Sequence, residues 1–274
     1  MPLLHIIVLA LVQGVTEFLP ISSSGHLVLA HYLMNGGSAI VPETDLTMDI
    51  AVHVGTLFAV LLYFRRDAWA MATGLAGLVC GRRGETGQRL FFLVLLSSLP
   101  VIAAGFALHM FMPGFLRSLT VMAWATLLFG IVLWLADRFA PMTRTIETMS
   151  VKSALLIGLA QVLALIPGTS RSGITMTAAR LLGFTRGEAA RFSLLLAMVA
   201  ISGAGFLTGL DLWKSENLAL GRDALIAVVL SFFAALGAIA LMMRWLERAS
   251  FAPFAAYRII LGILLLALIY TGTI

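Results

Sequence analysis

The chain has 274 residues, of which 61% are hydrophobic and 11% are charged, and its formal net charge is +5. A soluble protein of this length keeps about a quarter of its residues charged, so this chain lacks the polar side chains to cover a globular surface. Its basic residues are scattered through short segments beside apolar runs. That pattern is typical of the cytoplasmic loops of a membrane protein, and it excludes nucleic acid as a partner.

Six apolar runs are long enough to cross the hydrocarbon core of a bilayer, which takes about 20 helical residues. In chain order they are 46–64, 90–112, 119–137, 190–213, 223–245 and 253–272. Two more apolar regions, 3–34 and 153–183, are interrupted, the first by FLPISSSGH and the second by PGTSRSG. Irregular backbone survives at membrane depth only where it is buried in protein or lines a wet cavity. We therefore expect six transmembrane helices plus two re-entrant helical hairpins.

The order of these elements predicts an internal repeat, in which one hairpin is followed by three spans, twice. The chain is then a single all-α integral membrane domain with halves at about 1–138 and 152–274. LVQGVTEFLPISSSGH and LAQVLALIPGTSRSG share an early Gln, a Pro and a Ser-rich turn that ends in Gly. An odd number of spans separates the hairpins, so they enter from opposite faces. Inverted-topology repeats of this kind place a site near the midplane of the bilayer.

The charges between the spans predict the orientation of the chain. Basic residues are concentrated after the first, third and fifth spans, in the segments 65–89, 138–152 and 244–258. Loops rich in Arg and Lys stay in the cytoplasm, so these three segments are assigned to that side. Both termini then lie on the opposite side of the membrane.

Ionisable side chains inside apolar segments are costly and mark candidate functional sites. The candidates among them are Glu17 and His26 in the first interrupted region, Asp49 and His53 in the first span, and Arg171 at the second turn. Gln13 and Glu17 are four residues apart on one helix face, and their oxygens suit a hard divalent cation, Mg²⁺ or Ca²⁺. Asp49 and His53 repeat that spacing, so Asp49 is a further candidate ligand. A helix-start Asp and a hydrogen-bonded core His explain the second pair equally well.

The segment PGTSRSGIT at 167–175 predicts a phosphate site. Its small residues let backbone N–H groups approach an anion at the start of a helix, and Arg171 offers a planar fork for two phosphate oxygens. The further phosphate-binding candidates in the two turns are Ser22, Thr169, Ser170, Ser172 and Thr175. In the first turn, Ser23 is the candidate nucleophile and His26 the candidate proton carrier, the parts that phosphoryl transfer requires.

QGVTEFLPISSSGH and PGTSRSGIT resemble the two signature motifs of the bacterial undecaprenyl-diphosphate phosphatases, the bacitracin-resistance family. The resemblance extends over essentially the whole chain, including FAPFAAYR at 251–258. It implies a divalent-cation-dependent enzyme of the bacterial inner membrane, with its active site facing the periplasm. Such an enzyme removes the terminal phosphate of undecaprenyl diphosphate and so recycles the lipid carrier of cell-wall synthesis. By position, Glu17, Ser23, His26 and Arg171 take the essential roles.

Other functions fit parts of the pattern. SGH and SR occur in the signature of phosphatidic-acid phosphatases, but this chain has no Arg-Pro dipeptide, and Thr177 stands where that signature needs a second His. A transporter or flippase of a lipid phosphate or small anion stays open, because inverted repeats with broken helices are transporter architecture. The residues also leave open whether Ser23 or a water activated by His26 is the nucleophile. The expected partners are a polyprenyl diphosphate, membrane lipids and, in a homodimer, a second copy of the chain.

Overall fold

The computed structural model describes residues 2–34, 43–81, 84, 86–111, 118–214 and 218–272. These residues form eleven α-helices, with 3-10 turns at Ile146–Thr148 and Val162–Leu165. The helices are α1 (Leu3–Thr16), α2 (Ser23–Met34), α3 (Glu43–Tyr63), α4 (Arg65–Val79), α5 (Thr86–Phe111), α6 (Leu119–Phe139), α7 (Val151–Gln161), α8 (Arg171–Leu181), α9 (Arg186–Lys214), α10 (Leu218–Leu246) and α11 (Ala252–Tyr270). Within the described ranges, β pairing is limited to an isolated bridge between Arg144 and Phe184. The predicted all-α fold is confirmed.

Several of these helices are long and apolar enough to cross a membrane. They are Thr86–Leu108 of α5, Leu119–Phe139 of α6, Gly221–Leu246 of α10 and Ala252–Tyr270 of α11. A fifth span is counted when Met48–Tyr63 of α3 and Arg65–Val79 of α4, which meet at 87°, are taken together. The chain is therefore a multi-pass membrane protein. By length and composition, its described helices account for four or five spans of the six predicted.

The segment 65–89, predicted as an arginine-rich loop, is instead largely helical, because it contains α4 and the first turn of α5. The Arg191 guanidinium of α9 binds both carboxylate oxygens of Asp67 in α4, with Nε 3.0 Å from Oδ2 and Nη2 2.5 Å from Oδ1. A Cβ on Gly87 of α5 would lie 1.9 Å from the Ala70 carbonyl oxygen, so α4 and α5 are in direct backbone contact. The helix was missed because its apolar run is too short for a span and begins with two arginines.

Small residues let the long helices approach closely, which is how membrane helices associate without a hydrophobic driving force between them. A Cβ on Gly14 of α1 would lie 2.5 Å from the Cβ of Ala234 in α10. A Cβ on Gly158 of α7 would likewise lie 2.4 Å from the Ser97 carbonyl oxygen in α5. The first helix of each interrupted region therefore packs on a long helix from the other half of the chain.

A buried ionic network joins several helix ends at one end of the molecule. The Asp137 carboxylate in the last turn of α6 accepts from Arg180 Nε at 3.2 Å and from Arg186 Nε at 2.7 Å. It also accepts from the backbone N–H of Phe251 at 2.9 Å. The fully buried Arg180 gives its remaining N–H groups to four carbonyl oxygens, those of Asp137, Ala140, Pro141 and Phe184. The ends of α6 and α8 and the starts of α9 and α11 thus lie together.

The segments before α7 and after α8 meet at this same end. The Arg144 backbone N–H donates to the Gly183 carbonyl, and the Thr185 N–H donates to the Arg144 carbonyl, each at 3.0 Å. Arg144 Nη2 also donates to the Ser153 hydroxyl at 3.1 Å. In the first interrupted region, Ile6 near the start of α1 shares a core cluster with Ala30 near the end of α2. The two segments that flank the second interrupted region therefore lie next to each other.

Candidate active site

The first interruption separates α1 from α2 at residues 17–22, as the sequence predicts. Pro20 has no backbone N–H to donate, so it cannot continue the hydrogen-bond ladder of α1. Ser22, directly before α2, has φ of 72°, in the left-handed region that a non-glycine residue rarely adopts. Such strained backbone is concentrated at functional sites.

The second interruption, 166–170, separates the 3-10 turn after α7 from α8 and repeats this geometry. Ser170 precedes α8 with φ of 69°, and its hydroxyl caps the helix by accepting from the Gly173 N–H at 3.1 Å. Gly168 has φ of 90°, and a Cβ there would lie 2.2 Å from the Met122 carbonyl oxygen of α6. The turn therefore needs glycine at position 168 for both its conformation and its contact with α6.

The Glu17 carboxylate is the point where the two interruptions meet. Its Oε1 accepts from Arg171 Nη2 at 2.7 Å, an ion pair between residues 154 positions apart. Its Oε2 accepts from the Ser23 hydroxyl and from Gln13 Nε2, each at 2.8 Å. The Glu17 side chain is 6% exposed and that of Arg171 is 21% exposed. Thus the carboxylate, the candidate nucleophile and the candidate phosphate-binding arginine, all named from sequence, lie in one cluster.

The other predicted phosphate-binding residues surround this cluster with different contacts. The Ser172 hydroxyl donates to the Leu19 carbonyl at 2.9 Å and so links the two turns directly. The Thr175 hydroxyl lies 2.7 Å from the Ser193 hydroxyl of α9, within the protein interior. The Thr169 hydroxyl oxygen is buried and has no hydrogen-bond partner among the described residues. The Ser22 hydroxyl lies 3.4 Å from that of Ser24.

The start of α8 has the properties of an anion site. Helix N-termini present free backbone N–H groups and a partial positive charge, and both attract phosphate. Arg171 is the first residue of α8, and its Nη1 is buried without a partner in the described part of the chain. Buried polar groups are normally hydrogen-bonded, so an unpartnered guanidinium nitrogen at a helix start points to a bound anion.

His26 lies at the first turn but does not use Ser23 as its hydrogen-bond partner. Its Nδ1 is 2.7 Å from the Ser22 carbonyl oxygen, and its Nε2 is 2.6 Å from the Tyr257 hydroxyl. The His26 and Tyr257 rings stack at an interplanar angle of 18°. The Ser23 hydroxyl donates to Glu17, whereas His26 contacts Ser22 and Tyr257, so Ser23 and His26 have different hydrogen-bond partners.

His53 lies next to the Glu17 cluster, whereas the Asp49 carboxylate is directed to another partner, His31. His53 Nε2 lies 3.7 Å from Glu17 Oε2, while its Nδ1 is 2.5 Å from the Asp49 carbonyl oxygen. The Asp49 carboxylate pairs with His31, with Oδ1 2.8 Å from the His31 Nε2. His53 therefore borders the Glu17 cluster. The metal-ligand role predicted for Asp49 stays a prediction, and its pairing with His31 does not favour it.

The residues around Glu17 fit a cation that the substrate helps to bind. The amide oxygen Oε1 of Gln13 is fully buried and finds no hydrogen-bond partner in the described residues, so it is free to act as a ligand. The described ranges contain no group of three His, Cys, Asp or Glu side chains suited to a metal. Mg²⁺ is usually held by one or two carboxylates together with substrate phosphates. Glu17 and Gln13 are a donor set of that kind.

Arg258 was counted from sequence among the loop charges, and that assignment is wrong. It lies inside α11, is fully buried, and its Nη2 donates to the carbonyl oxygens of Gly168 at 3.0 Å and Thr169 at 2.8 Å. Arg258 thus binds the backbone of the second interruption, just before α8. An arginine within an apolar span is itself a signal of a functional site, whereas Tyr257 was marked only by its place in FAPFAAYR, the late segment of the family resemblance.

The chain is similar over nearly its whole length to several undecaprenyl-diphosphatases. The chain is 50% identical over 274 residues to undecaprenyl-diphosphatase 1 of Rhodospirillum rubrum, covering 99% of this chain and 97% of that protein. It is 50% identical over 270 residues to the undecaprenyl-diphosphatase of Maricaulis maris, covering 97% of this chain and 98% of that protein. The undecaprenyl-diphosphatase of Ruegeria pomeroyi is 44% identical, over 99% of this chain and its own full length.

The bacitracin resistance protein BacA family matches residues 6–264, a range that contains both interruptions, the Glu17–Arg171 pair and Tyr257 with Arg258. All of the candidate site residues therefore lie within the range that matches the family. The chain belongs to the bacitracin resistance protein BacA family.

Proposed function

We propose that this protein hydrolyses undecaprenyl diphosphate to undecaprenyl phosphate and inorganic phosphate, and so recycles the lipid carrier of cell-wall synthesis. Relatives at 44% to 50% identity over nearly the whole chain have the name of that activity. The observation that carries the proposal is the 2.7 Å contact between Glu17 and Arg171. It joins the two signature motifs into one polar cluster inside an otherwise apolar protein.

Arg171 and the start of α8 bind the diphosphate in this mechanism. The guanidinium releases Glu17 and takes two phosphate oxygens, for which its planar fork is suited. Free N–H groups at the start of α8 and the buried Thr169 hydroxyl add donors. Arg258 binds the carbonyl oxygens of Gly168 and Thr169 and so fixes the turn that precedes α8.

Ser23 attacks the terminal phosphorus. Its hydroxyl already donates to Glu17 Oε2, so its proton passes to that carboxylate as the new P–O bond forms. The bond to the bridging oxygen breaks, undecaprenyl phosphate leaves with the electron pair, and water then hydrolyses the phosphoserine. The hydrogen bond between Ser23 and Glu17 favours this route over a water activated by His26, which remains the alternative.

A divalent cation, Mg²⁺ or Ca²⁺, is part of the proposal. Glu17 and the unpartnered Gln13 Oε1 would hold it, with the diphosphate oxygens completing its ligands. When bound, it would neutralise charge on the transferred phosphoryl group.

We further propose six transmembrane helices and two re-entrant hairpins, in an inverted repeat with halves at about 1–138 and 152–274. The meeting of the Arg144 and Gly183 segments on one side of the second hairpin supports re-entry. In each half, the first helix of the interrupted region packs on a long helix of the other half, α1 on α10 and α7 on α5. This reciprocal packing supports a two-fold relation between the halves. A homodimer also remains a prediction.

The active site faces the periplasm in this proposal, in the inner membrane of a bacterium. The arginine-rich segments 65–89 and 138–152 are joined by the Arg89–Met149 contact, so they lie on one side. That side is cytoplasmic by the charge rule. The low charge of 111–118 and 214–222 assigns these two segments to the periplasm, and their central residues, 112–117 and 215–217, lie outside the described residues.

Cysteine labelling tests this topology. Cys80→Ser removes the single cysteine of the chain. In that background, an impermeant thiol reagent on intact cells should modify Leu3→Cys and Thr271→Cys near the termini. It should leave Thr145→Cys and Gly187→Cys unmodified, because both flank the second hairpin on the cytoplasmic side. Gly187 suits the test because a Cβ there meets no other atom within 4 Å.

Labelling of Thr145→Cys or Gly187→Cys, but not of the other, would mean that the region between them crosses the membrane. The re-entrant hairpin and the inverted repeat would then both be wrong. Permeabilised cells provide the control, since all four cysteines should react there.

A phosphate-release assay in detergent, where no membrane is present, distinguishes the phosphatase from the transporter or flippase alternative. The protein purified in detergent should release inorganic phosphate from undecaprenyl diphosphate, with one undecaprenyl phosphate formed for each phosphate. A transporter has no second compartment in detergent and should release none. Absence of release from folded protein supplied with Mg²⁺ and Ca²⁺ would refute the phosphatase.

A further inference from the structure

Tyr257 makes contacts with His26 that fix the state of the imidazole ring. A carbonyl oxygen only accepts hydrogen bonds, so His26 Nδ1, which is 2.7 Å from the Ser22 carbonyl, must be the nitrogen that has the proton. In the neutral ring, Nε2 then has the lone pair. The Tyr257 hydroxyl, 2.6 Å from Nε2, is its hydrogen-bond donor. Each ring nitrogen therefore has one defined partner.

The two partners come from distant parts of the chain. Ser22 holds its carbonyl oxygen toward the ring from a left-handed backbone conformation, with φ of 72°. Tyr257 lies in α11, 231 residues from His26, and stacks on the imidazole ring as well as donating to it. The next residue, Arg258, binds the Gly168 and Thr169 carbonyls of the other turn. Consecutive residues of α11 thus hold both interruptions in place.

The charged groups on the neighbouring elements make their hydrogen bonds elsewhere, and Arg171 Nη1, Arg258 Nε and Arg258 Nη1 are buried without a partner among the described residues. Glu17, which ends α1, is paired with Arg171 at the start of α8. Arg258, beside Tyr257 on α11, donates to two carbonyl oxygens. The hydroxyl of Tyr257 is therefore the group that faces His26 Nε2, the nitrogen through which the ring can accept or return a proton.

We propose that Tyr257 is a positioning residue for His26. Its hydroxyl selects the tautomer with the proton on Nδ1, and its ring fixes the imidazole at the first turn. Nε2 is then the basic nitrogen, and it takes a proton from the reacting phosphate after exchanging the Tyr257 hydroxyl for a phosphate oxygen. Second partners of this kind normally decide which histidine nitrogen acts in a reaction. The inference rests on the proposed phosphatase function, but its structural part is measurable without turnover.

Tyr257→Phe tests the proposal, because it keeps the stacked ring and removes only the hydroxyl. We expect kcat to fall about 10- to 100-fold, with KM changed less than about two-fold, as for a lost contribution to acid–base chemistry. Tyr270→Phe, on the same helix and 71% exposed, is the matched control and should behave as wild type. In a His26→Gln background, Tyr257→Phe should cause no further loss, because the group that it positions is already gone.

Nitrogen-15 NMR of histidine-labelled protein in detergent supplies the readout that is independent of activity. The His26 signals, identified by their loss in His26→Gln, should show a protonated Nδ1 and a bare, hydrogen-bonded Nε2 at a pH where the ring is neutral. In Tyr257→Phe, the Nε2 signal should move toward that of a nitrogen without a hydrogen bond.

Three results would overturn the proposal. They are a wild-type His26 protonated on Nε2, an Nε2 signal that does not change in Tyr257→Phe, and an equal loss of kcat with and without His26. If the protein released no phosphate at all, the proposed function would fail while the NMR comparison still decided the role of Tyr257.

Discussion

Arg171→Ala should lower kcat/KM for phosphate release from undecaprenyl diphosphate by about 10³-fold or more, while the protein still inserts into the membrane and purifies. The substitution removes the main counter-charge for the diphosphate, and a single lost donor at a developing negative charge typically costs about 10²–10³-fold. It also leaves the buried Glu17 carboxylate without the guanidinium that lies 2.7 Å from it. Breaking a buried ion pair in this way costs about 3–5 kcal/mol.

Arg171→Lys should remain strongly impaired, because an ammonium group is a point charge and does not reproduce two parallel N–H donors. Arg138→Ala is the matched control, since Arg138 is exposed beyond the buried network of Asp137 and should leave kcat/KM unchanged. Near-normal turnover of the Arg171→Lys protein would contradict bidentate binding of the phosphate.

Glu17→Gln should also abolish most of the activity, by about 10²-fold or more, although it preserves the shape of the side chain. The amide accepts the proton of Ser23 far more weakly than a carboxylate does, and it neither pairs with Arg171 nor binds a hard cation well. The measurement is kcat/KM as a function of Mg²⁺ concentration, with the exposed Glu247→Gln as control.

The dependence on Mg²⁺ separates two roles of Glu17. If Glu17 is a ligand, Gln13→Glu should lower the cation concentration needed for half-maximal activity, because it adds a second carboxylate beside the first. A Glu17→Gln protein that keeps the wild-type dependence on Mg²⁺ would place the cation elsewhere, and Asp49 would be tested next.

The sequence predicted the helices and the two interruptions because both follow from local rules. A run of about 20 apolar residues crosses the hydrocarbon core, and Pro20 and the PGTSRSG segment interrupt such runs wherever they occur. The helix α4 escaped this reasoning, because its 15 residues are too few for a span and Arg65 and Arg66 resemble loop charges. Its place is set by a tertiary contact, the ion pair of Asp67 with Arg191.

The candidate site was predictable in its residues and not in its contacts. Glu17 and Arg171 were identified as ionisable groups within apolar segments, but their pairing depends on how the two turns pack. Ser23 and His26 are three residues apart, so a contact between them was a natural expectation. His26 instead contacts the Ser22 carbonyl and the Tyr257 hydroxyl, while the Ser23 hydroxyl donates to Glu17.

The central claim is that the two interruptions form one catalytic site through Glu17 and Arg171, and a double-mutant cycle tests it most directly. Glu17→Asp and Arg171→Lys shift each group while keeping its charge, so enough turnover should remain to measure kcat/KM of both single variants and of the double variant. Groups that act as a unit give strongly non-additive losses, whereas independent sites give losses that multiply. The account predicts a double variant within a few-fold of the more impaired single variant (~3-fold). A loss equal to the product of the two single losses would contradict it.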